Sequence, residues 1–250
     1  MDLHHEIFIR MLDGDLHRAP LPKEPHRILD IGTGTGIWAI DMADKYPTAE
    51  VIGTDLSPIQ PGWVPPNCRF EIDDAEKDFT YKSDSFDLVH SRNIGQAISD
   101  WPRLMGQIFR VVKPGGYAEL AELCGQCCSD DDTMQEDNPC NLFFQELSTA
   151  LVKLGRPAYA TKELLRSLLE DAGFVDVKVV EAKQPLAPWA KDKEAKKTGA
   201  MVLLASQTGF EAYGMACFTR VLGYSEEKAR ELCQDAISAS RNKNYHLYTP

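Results

Sequence analysis

The stretch LDIGTGTGIWAI, Leu29 to Ile40, sets Asp30 two residues ahead of three glycines, Gly32, Gly34 and Gly36. Glycines at this density let backbone approach a bound group closely, and the amides opening the next helix can face an anion. A P-loop needs Gly-x-x-x-x-Gly-Lys-Ser/Thr, and no lysine follows here. The dinucleotide fingerprint Gly-x-Gly-x-x-Gly wants its third glycine where this chain has Ile37. A carboxylate at Asp30 repels a pyrophosphate and favours an ammonium or sulfonium. Asp55, closing the run EVIGTD, can accept from both hydroxyls of a ribose. Together they point to a cationic ribonucleoside.

The elements that must position these residues alternate. HRILDIG (His26 to Gly32), EVIGTD, CRFEI and FDLVHS read as strands, GIWAIDMADKYP as a helix stopped by Pro47, and DWPRLMGQIFRVV as a helix capped by Asp100. KPGGYAELAEL reads as a glycine turn into a fifth strand. LSPIQPGWVPPN, with four prolines, is an ordered loop. Strand–helix alternation through residue 123 predicts a parallel sheet covered on both faces. An N-terminal helix over residues 2–13 with Gly14 as its stop precedes it. Beyond come an acidic loop, DDDTMQEDNPC, and helices at Asn141 to Gly155 and from Thr161 to Gly173. VDVKVVEAKQPL reads as a strand, residues 193–240 as two helices, and NYHLYTP as a closing strand.

The bulk numbers are those of an ordinary soluble globular protein. The chain has 250 residues, 43% hydrophobic and 26% charged, with a formal net charge of -11. That charge disfavours direct binding to nucleic acid, and KDKEAKKTG, the one basic cluster, is diluted by Asp192 and Glu194. No run approaches the ~20 apolar residues of a membrane span. MDLHHEIFIRMLDG lacks the form of a secretory signal, so the expected location is the cytoplasm, with the nucleus as a second. Seven cysteines read as free thiols. Cys124-x-x-Cys127 has no second pair at zinc-ligand spacing, so no metal is expected.

Five stretches in order, ILDIGTGTGIW, VIGTDLS, FEIDDAEKDF, SFDLVHSR and VVKPGGYAEL, spanning residues 27–122, resemble the class I S-adenosylmethionine-dependent methyltransferases. S-adenosylmethionine carries both a ribose and a cationic centre. More narrowly, GTDLSPIQPGWVPPNCRFEIDDAEKDF with HSRNI is similar to a fungal group. It includes velvet-complex regulators of secondary metabolism and proteins similar to trans-aconitate methyltransferase. The resemblance implies an α/β Rossmann-like fold: a mostly parallel seven-stranded sheet, helices on both faces and helical lid insertions. The order of elements itself reads as one domain over residues 1–250, with helical insertions and an N-terminal helix. Residues 1–20 would form an N-terminal helix or lid, 26–123 the cofactor core, and 124–160 and 190–242 substrate-side insertions.

The resemblance also assigns roles. Asp30 would sit near the methionine ammonium, with Gly32 and Gly34 allowing close approach and Gly36 serving helix packing. Asp55 would hold the ribose hydroxyls and Leu56 would lie against the adenine. Asp74 and Ala75 would flank the adenine, Asp74 accepting from its amine, while His90, Ser91 and Arg92 would line the space beside the methionine and methyl group. Trp38 reads as core rather than cofactor wall, and His90 equally as a strand-end histidine held by a hydrogen bond.

Methyl transfer from a sulfonium is an in-line displacement with an excellent leaving group, so positioning can carry much of it. A base is needed only for a protonated nucleophile. Candidate catalytic residues are His5, His90 and Glu122; His4, Phe8 and Tyr117 join them as candidate lining of the acceptor side. Phe143, Phe144, Phe210, Tyr213 and Phe218 could form an aromatic lid, or simply a core. The expected activity is methylation of a small secondary metabolite. The alternatives are a regulator acting through a protein partner and a non-catalytic cofactor-binding scaffold. The intact Asp30, Gly32, Gly34 and Asp55 set disfavours the scaffold, and the lack of a long polar or basic extension favours the metabolite enzyme over the regulator. A homodimer or a protein partner is compatible with all three.

Overall fold

A computed structural model of the chain describes residues 2–250. They fall into two compact units, the first made of Leu12–Glu122, Lys162–Val179 and the chain start up to His5. The second holds Glu6–Met11, Leu123–Thr161 and Val180–Pro250, so helix α1 (Asp2–Met11) gives its first turn to one unit and the rest to the other.

The first unit is built on five parallel strands, β1 (Arg27–Ile31), β2 (Glu50–Asp55), β3 (Cys68–Ile72), β4 (Phe86–Arg92) and β5 (Val112–Ala121), in the order β3-β2-β1-β4-β5. β1, β2 and β4 are buried along nearly their whole length, which is why they read as continuous apolar runs rather than alternating ones. One core cluster gathers Leu29, Phe86, Trp101, Leu104 and Ile108, including helix α3 (Trp101–Val111). Another gathers Ile28, Val51 and Leu88 with Trp38 and Met42 of helix α2 (Ile37–Lys45). Asp100 caps α3 as its position predicts, accepting from the amide of Arg103 at 3.1 Å. The order reverses direction between β1 and β4, which is where open α/β sheets open a crevice at their carboxyl ends.

KPGG does not precede the fifth strand; it lies inside it. The β4–β5 register shifts between Phe86 and Leu88, whose partners are Val112 and Tyr117, so the glycines form a bulge, with Gly115 at φ 79°. A bulge absorbs the extra residues without ending the ladder.

In the second unit, helices α4 (Pro139–Lys153), α6 (Lys193–Ala216) and α7 (Glu226–Ser240) pack around aromatic side chains, α6 running on into a π-helical turn at Cys217–Val221. The basic stretch at 191–199 is a helix start: Asp192 accepts from the amides of Glu194 and Ala195. Helix α5 (Lys162–Asp171) belongs to the first unit, where Phe174 meets Phe109 edge-on at 5.1 Å.

The seven-stranded sheet is corrected. Among the described residues the parallel sheet has five strands, and β6 (Gln184–Pro185) and β7 (Tyr248–Thr249) form a separate antiparallel pair. The strand expected at VDVKVVEAKQPL shrinks to Gln184–Pro185, because residues 175–183 find no ladder partner and leave Val175 and Val180 exposed. Alternating valines supply strand propensity, but a strand exists only where an edge receives its amides.

Candidate functional site

The turn after β1 takes left-handed backbone at all three glycines, with φ 69° at Gly32, 59° at Gly34 and 80° at Gly36. A Cβ on Gly32 would lie 2.4 Å from Cγ2 of Ile94, and one on Gly36 would lie 2.2 Å from the Phe70 ring. Glycine is therefore required by both backbone and packing.

Asp30 is buried, and both its oxygens are engaged. Oδ1 accepts from His90 Nδ1 at 2.7 Å and Oδ2 from the Thr33 hydroxyl at 2.6 Å. The two residues are ladder partners across β1 and β4. The indole of Trp38 stacks on the His90 ring with centroids 3.7 Å apart and planes within 6°. Next to His90, Ser91 Oγ is buried without a hydrogen-bond partner.

At the carboxyl end of β2, Asp55 Oδ2 accepts from the Gly34 amide at 2.8 Å and Oδ1 from Ser57 N at 2.9 Å. Gln60 reaches back to the Gly34 carbonyl at 2.6 Å, fastening the proline-rich loop to the glycine turn. Leu56, and Ile72 opposite Asp55 in the β2–β3 register, are 66% and 70% exposed, an apolar surface beside the carboxylate. Asp74 turns its own loop, Oδ1 accepting from Glu76 N at 2.9 Å, and Ala75 packs on the core cluster below.

The first turn of α1 lies against this end of the sheet. Arg92 Nη2 donates to His5 Nδ1 at 3.0 Å, so the His5 proton sits on Nε2 and is donated to Asp41 Oδ2 at 2.8 Å. Thr35 of the glycine turn donates to Asp2 at 3.1 Å. Burial pulls Arg92 below the ordinary guanidinium range, opposed by the Asp30 and Asp41 carboxylates. His4 is lowered by burial first, and Arg92 adds to it. Glu122, just past β5, is raised to about 7 by burial, against the pull of the Gly95 and Ile94 amides on its carboxylate.

With this geometry in place, the comparisons with known proteins decide the family. Residues 3–179 match the family described as a methyltransferase domain. The chain belongs to that family. It is 39% identical over 263 residues to "Secondary metabolism regulator LAE1" of Cochliobolus heterostrophus, covering 100% of this chain and 85% of that protein. It is 37% identical to "Methyltransferase pytC" of Aspergillus terreus, covering 93% and 71%. It is 34% identical to "Protein-methionine methyltransferase laeA" of Emericella nidulans, covering 99% of this chain and 66% of that one. A phosphoethanolamine N-methyltransferase of Haemonchus contortus, solved with S-adenosylhomocysteine, shares the fold at TM-score 0.52 and 20% identity, covering 98% of this chain and 50% of its own. The curated relatives are fungal proteins named as methyltransferases or as regulators of secondary metabolism, which agrees with the resemblance carried by the sequence.

In this methyltransferase, Asp30, Gly32, Gly34, Asp55, Leu56, His90, Ser91 and Arg92 all stand at the carboxyl ends of β1, β2 and β4 or in the turns that follow. Asp74 and Ala75 follow β3. Phe143, Phe210 and Phe218 are buried in the second unit, where Phe143 meets Phe210 at 4.7 Å and Phe218 at 5.3 Å, both edge-on. They are core there, the plainer of the two readings. Sequence reasoning missed Gln60, Asp41 and Ile94. Of these only Ile94 left a signal, as the one bulky apolar residue in RNIGQA after β4. No helix is long and apolar enough to cross a membrane, and among the described residues no three His, Cys, Asp or Glu gather as a metal-binding group.

Proposed function

We propose that this chain binds S-adenosylmethionine across the carboxyl ends of β1, β2 and β4 and transfers its methyl group to a small acceptor. The observation that carries the reading is Asp55, an acceptor-only carboxylate at the end of β2, tied to the Gly34 amide of the three-glycine turn at the switch point of the sheet. The residues fit the cofactor. Asp55 has lone pairs left for two ribose hydroxyls. Leu56 offers exposed apolar surface to an adenine face, with Ala75 and Asp74 flanking it. The orphaned Ser91 hydroxyl awaits a polar partner beside His90 and Arg92. Asp30 supplies negative charge for the methionine ammonium while its oxygens hold His90 and Thr33.

When bound, the cofactor supplies an electrophilic methyl carbon on a sulfonium. The protein's own residues orient and desolvate it. His5 is poorly suited to proton transfer, because Arg92 and Asp41 occupy both ring nitrogens. His90 keeps Nε2 as its remaining acceptor, since Nδ1 donates to Asp30.

A protein acceptor is the second reading, supported by relatives named as a regulator and as a protein-methionine methyltransferase. Under either reading the enzyme acts in the cytoplasm, with the nucleus as a second place for a regulator, as a monomer, homodimer or partner-bound form.

Calorimetric titration with S-adenosylhomocysteine tests the cofactor site. A 1:1 heat is expected, and Asp55→Ala and Gly32→Arg abolish it. No heat from folded protein sinks the proposal. Methyl-labelled cofactor, supplied with extract, then separates the acceptors: label in the small-molecule filtrate supports the metabolite reading, and label in precipitated protein supports the other.

A further inference from the structure

Glu122 was a candidate base, yet backbone amides engage both oxygens of its carboxylate. Oε1 accepts from Ile94 N at 3.0 Å and Oε2 from Gly95 N at 3.1 Å, two successive amides in the segment that follows β4. Gly95 is what lets the carboxylate come so close: a Cβ there would lie 2.9 Å from Oε2. The same segment is fixed at either side, with Asn93 N donating to Ala121 O at 3.0 Å and Ala97 N to Ile94 O at 2.7 Å.

Held this way, Ile94 is 7% exposed, and its Cγ2 fills the space a Cβ on Gly32 would take. Gly32 opens the glycine turn, in left-handed backbone that other conformations compete with. A chain of direct contacts thus runs from the Glu122 carboxylate through two amides and the Ile94 side chain to the first glycine of the turn. Once Glu122 is ionised, above about pH 7, its hydrogen bonds from the two amides are of the stronger, charge-assisted kind, and two on one group set its orientation.

We infer that Glu122 is a positioning residue: it clamps Ile94 against Gly32, holds the glycine turn in the shape that receives the cofactor, and takes no part in proton transfer. This rests on the cofactor reading above. Both oxygens point at the 94–95 backbone, so orienting that backbone is what their geometry serves.

The test uses the full chain with S-adenosylhomocysteine as the probe at pH ~8, above the value of about 7 to which Glu122 is raised. Glu122→Gln keeps the volume but sets an NH2 against one of the two amides, donor facing donor. Its dissociation constant should rise about tenfold or more, the loss of one charge-assisted hydrogen bond. In turnover, KM for the methyl donor rises and most of kcat is kept. Ile94→Ala breaks the chain further along and should weaken binding similarly. The double variant should then be no weaker than about the worse single one, because both break one path.

Three outcomes overturn the inference: unchanged affinity in both single variants, a loss of kcat at unchanged affinity, or fully additive effects. Should Glu122→Gln fail to fold, Gly95→Ala, which crowds Oε2, takes its place with the same expected weakening. A wild-type protein that gives no heat with the probe instead overturns the cofactor reading, and this inference with it.

Discussion

His90 and Asp30 face each other across the β1–β4 ladder, and the imidazole Nδ1 donates to the carboxylate at 2.7 Å. The pair is sealed by the Trp38 indole stacked at 3.7 Å and by the Thr33 hydroxyl on the other carboxylate oxygen. A charge this deeply buried persists only when its lone pairs are satisfied, and here neighbouring side chains do that on both oxygens. Asp30 is therefore first an organiser of the strand ends, whatever ligand its charge also serves.

Replacing His90 tests this. His90→Ala strips a ring from the Trp38 face and leaves Asp30 Oδ1 bare, at a cost of about 2–4 kcal/mol. In His90→Asn the amide nitrogen can take the place of Nδ1, so urea unfolding should show part of that loss restored. An Asn variant no more stable than the Ala variant contradicts the bond's importance.

Asp55→Ala removes the acceptor of the Gly34 and Ser57 amides. Both amides lie near solvent, so the stability loss should be near 1 kcal/mol by thermal melting. Affinity for S-adenosylhomocysteine, by contrast, should collapse. Equal, small effects on both would remove Asp55 from the site.

Gly36→Ala and Gly14→Ala separate backbone strain from crowding. Both positions have positive φ, 80° and 93°, but only at Gly36 does an added Cβ strike a side chain, the Phe70 ring at 2.2 Å. Both variants carry a left-handed penalty of about 1 kcal/mol, and Gly36→Ala should lose more through forced repacking of Phe70. Equal midpoint shifts would show that Phe70 moves aside freely.

Glu122 gives a pH signature. Its folded-state value, raised to about 7, stands above the ordinary 4.5, so the folded chain holds this proton more tightly than the unfolded one. That contribution to stability is complete below the ordinary value and is lost as pH rises through about 7. Between pH ~5 and ~8 the wild type should lose stability relative to Glu122→Gln. Parallel profiles would show that Glu122 ionises in its ordinary range.

None of the seven cysteines is in a disulfide; Cys128 and Cys217 are half-buried and the other five buried. Burial raises the thiols of Cys68, Cys127, Cys128, Cys140, Cys217 and Cys233, to about 11 at Cys68 and about 12 at Cys140. A thiol-exchange reagent on native protein should titrate two groups ahead of the rest, and the remaining five only on unfolding. Seven equally fast thiols would mean that both units open readily, since Cys68 lies in the first.

The parallel core and the glycine turn were legible in the sequence because their causes are local. Buried strands must be apolar throughout, a left-handed turn must be glycine, and Asp100 caps the helix it immediately precedes. The range of β5, the fate of residues 175–183 and the pairing of β6 with β7 were not, because a ladder depends on which edge is near, not on propensity. The site divides the same way. Asp30 and Asp55 could be picked out by their places at strand ends. That Asp30 spends its oxygens on His90 and Thr33, that Arg92 settles the His5 tautomer, and that Glu122 grips the 94–95 backbone are contacts 3 to 87 positions apart in the chain. Sequence determined which groups stand at the ends of the strands; only the tertiary structure decided which lone pairs were already taken, because hydrogen bonds are settled by distance and direction in space.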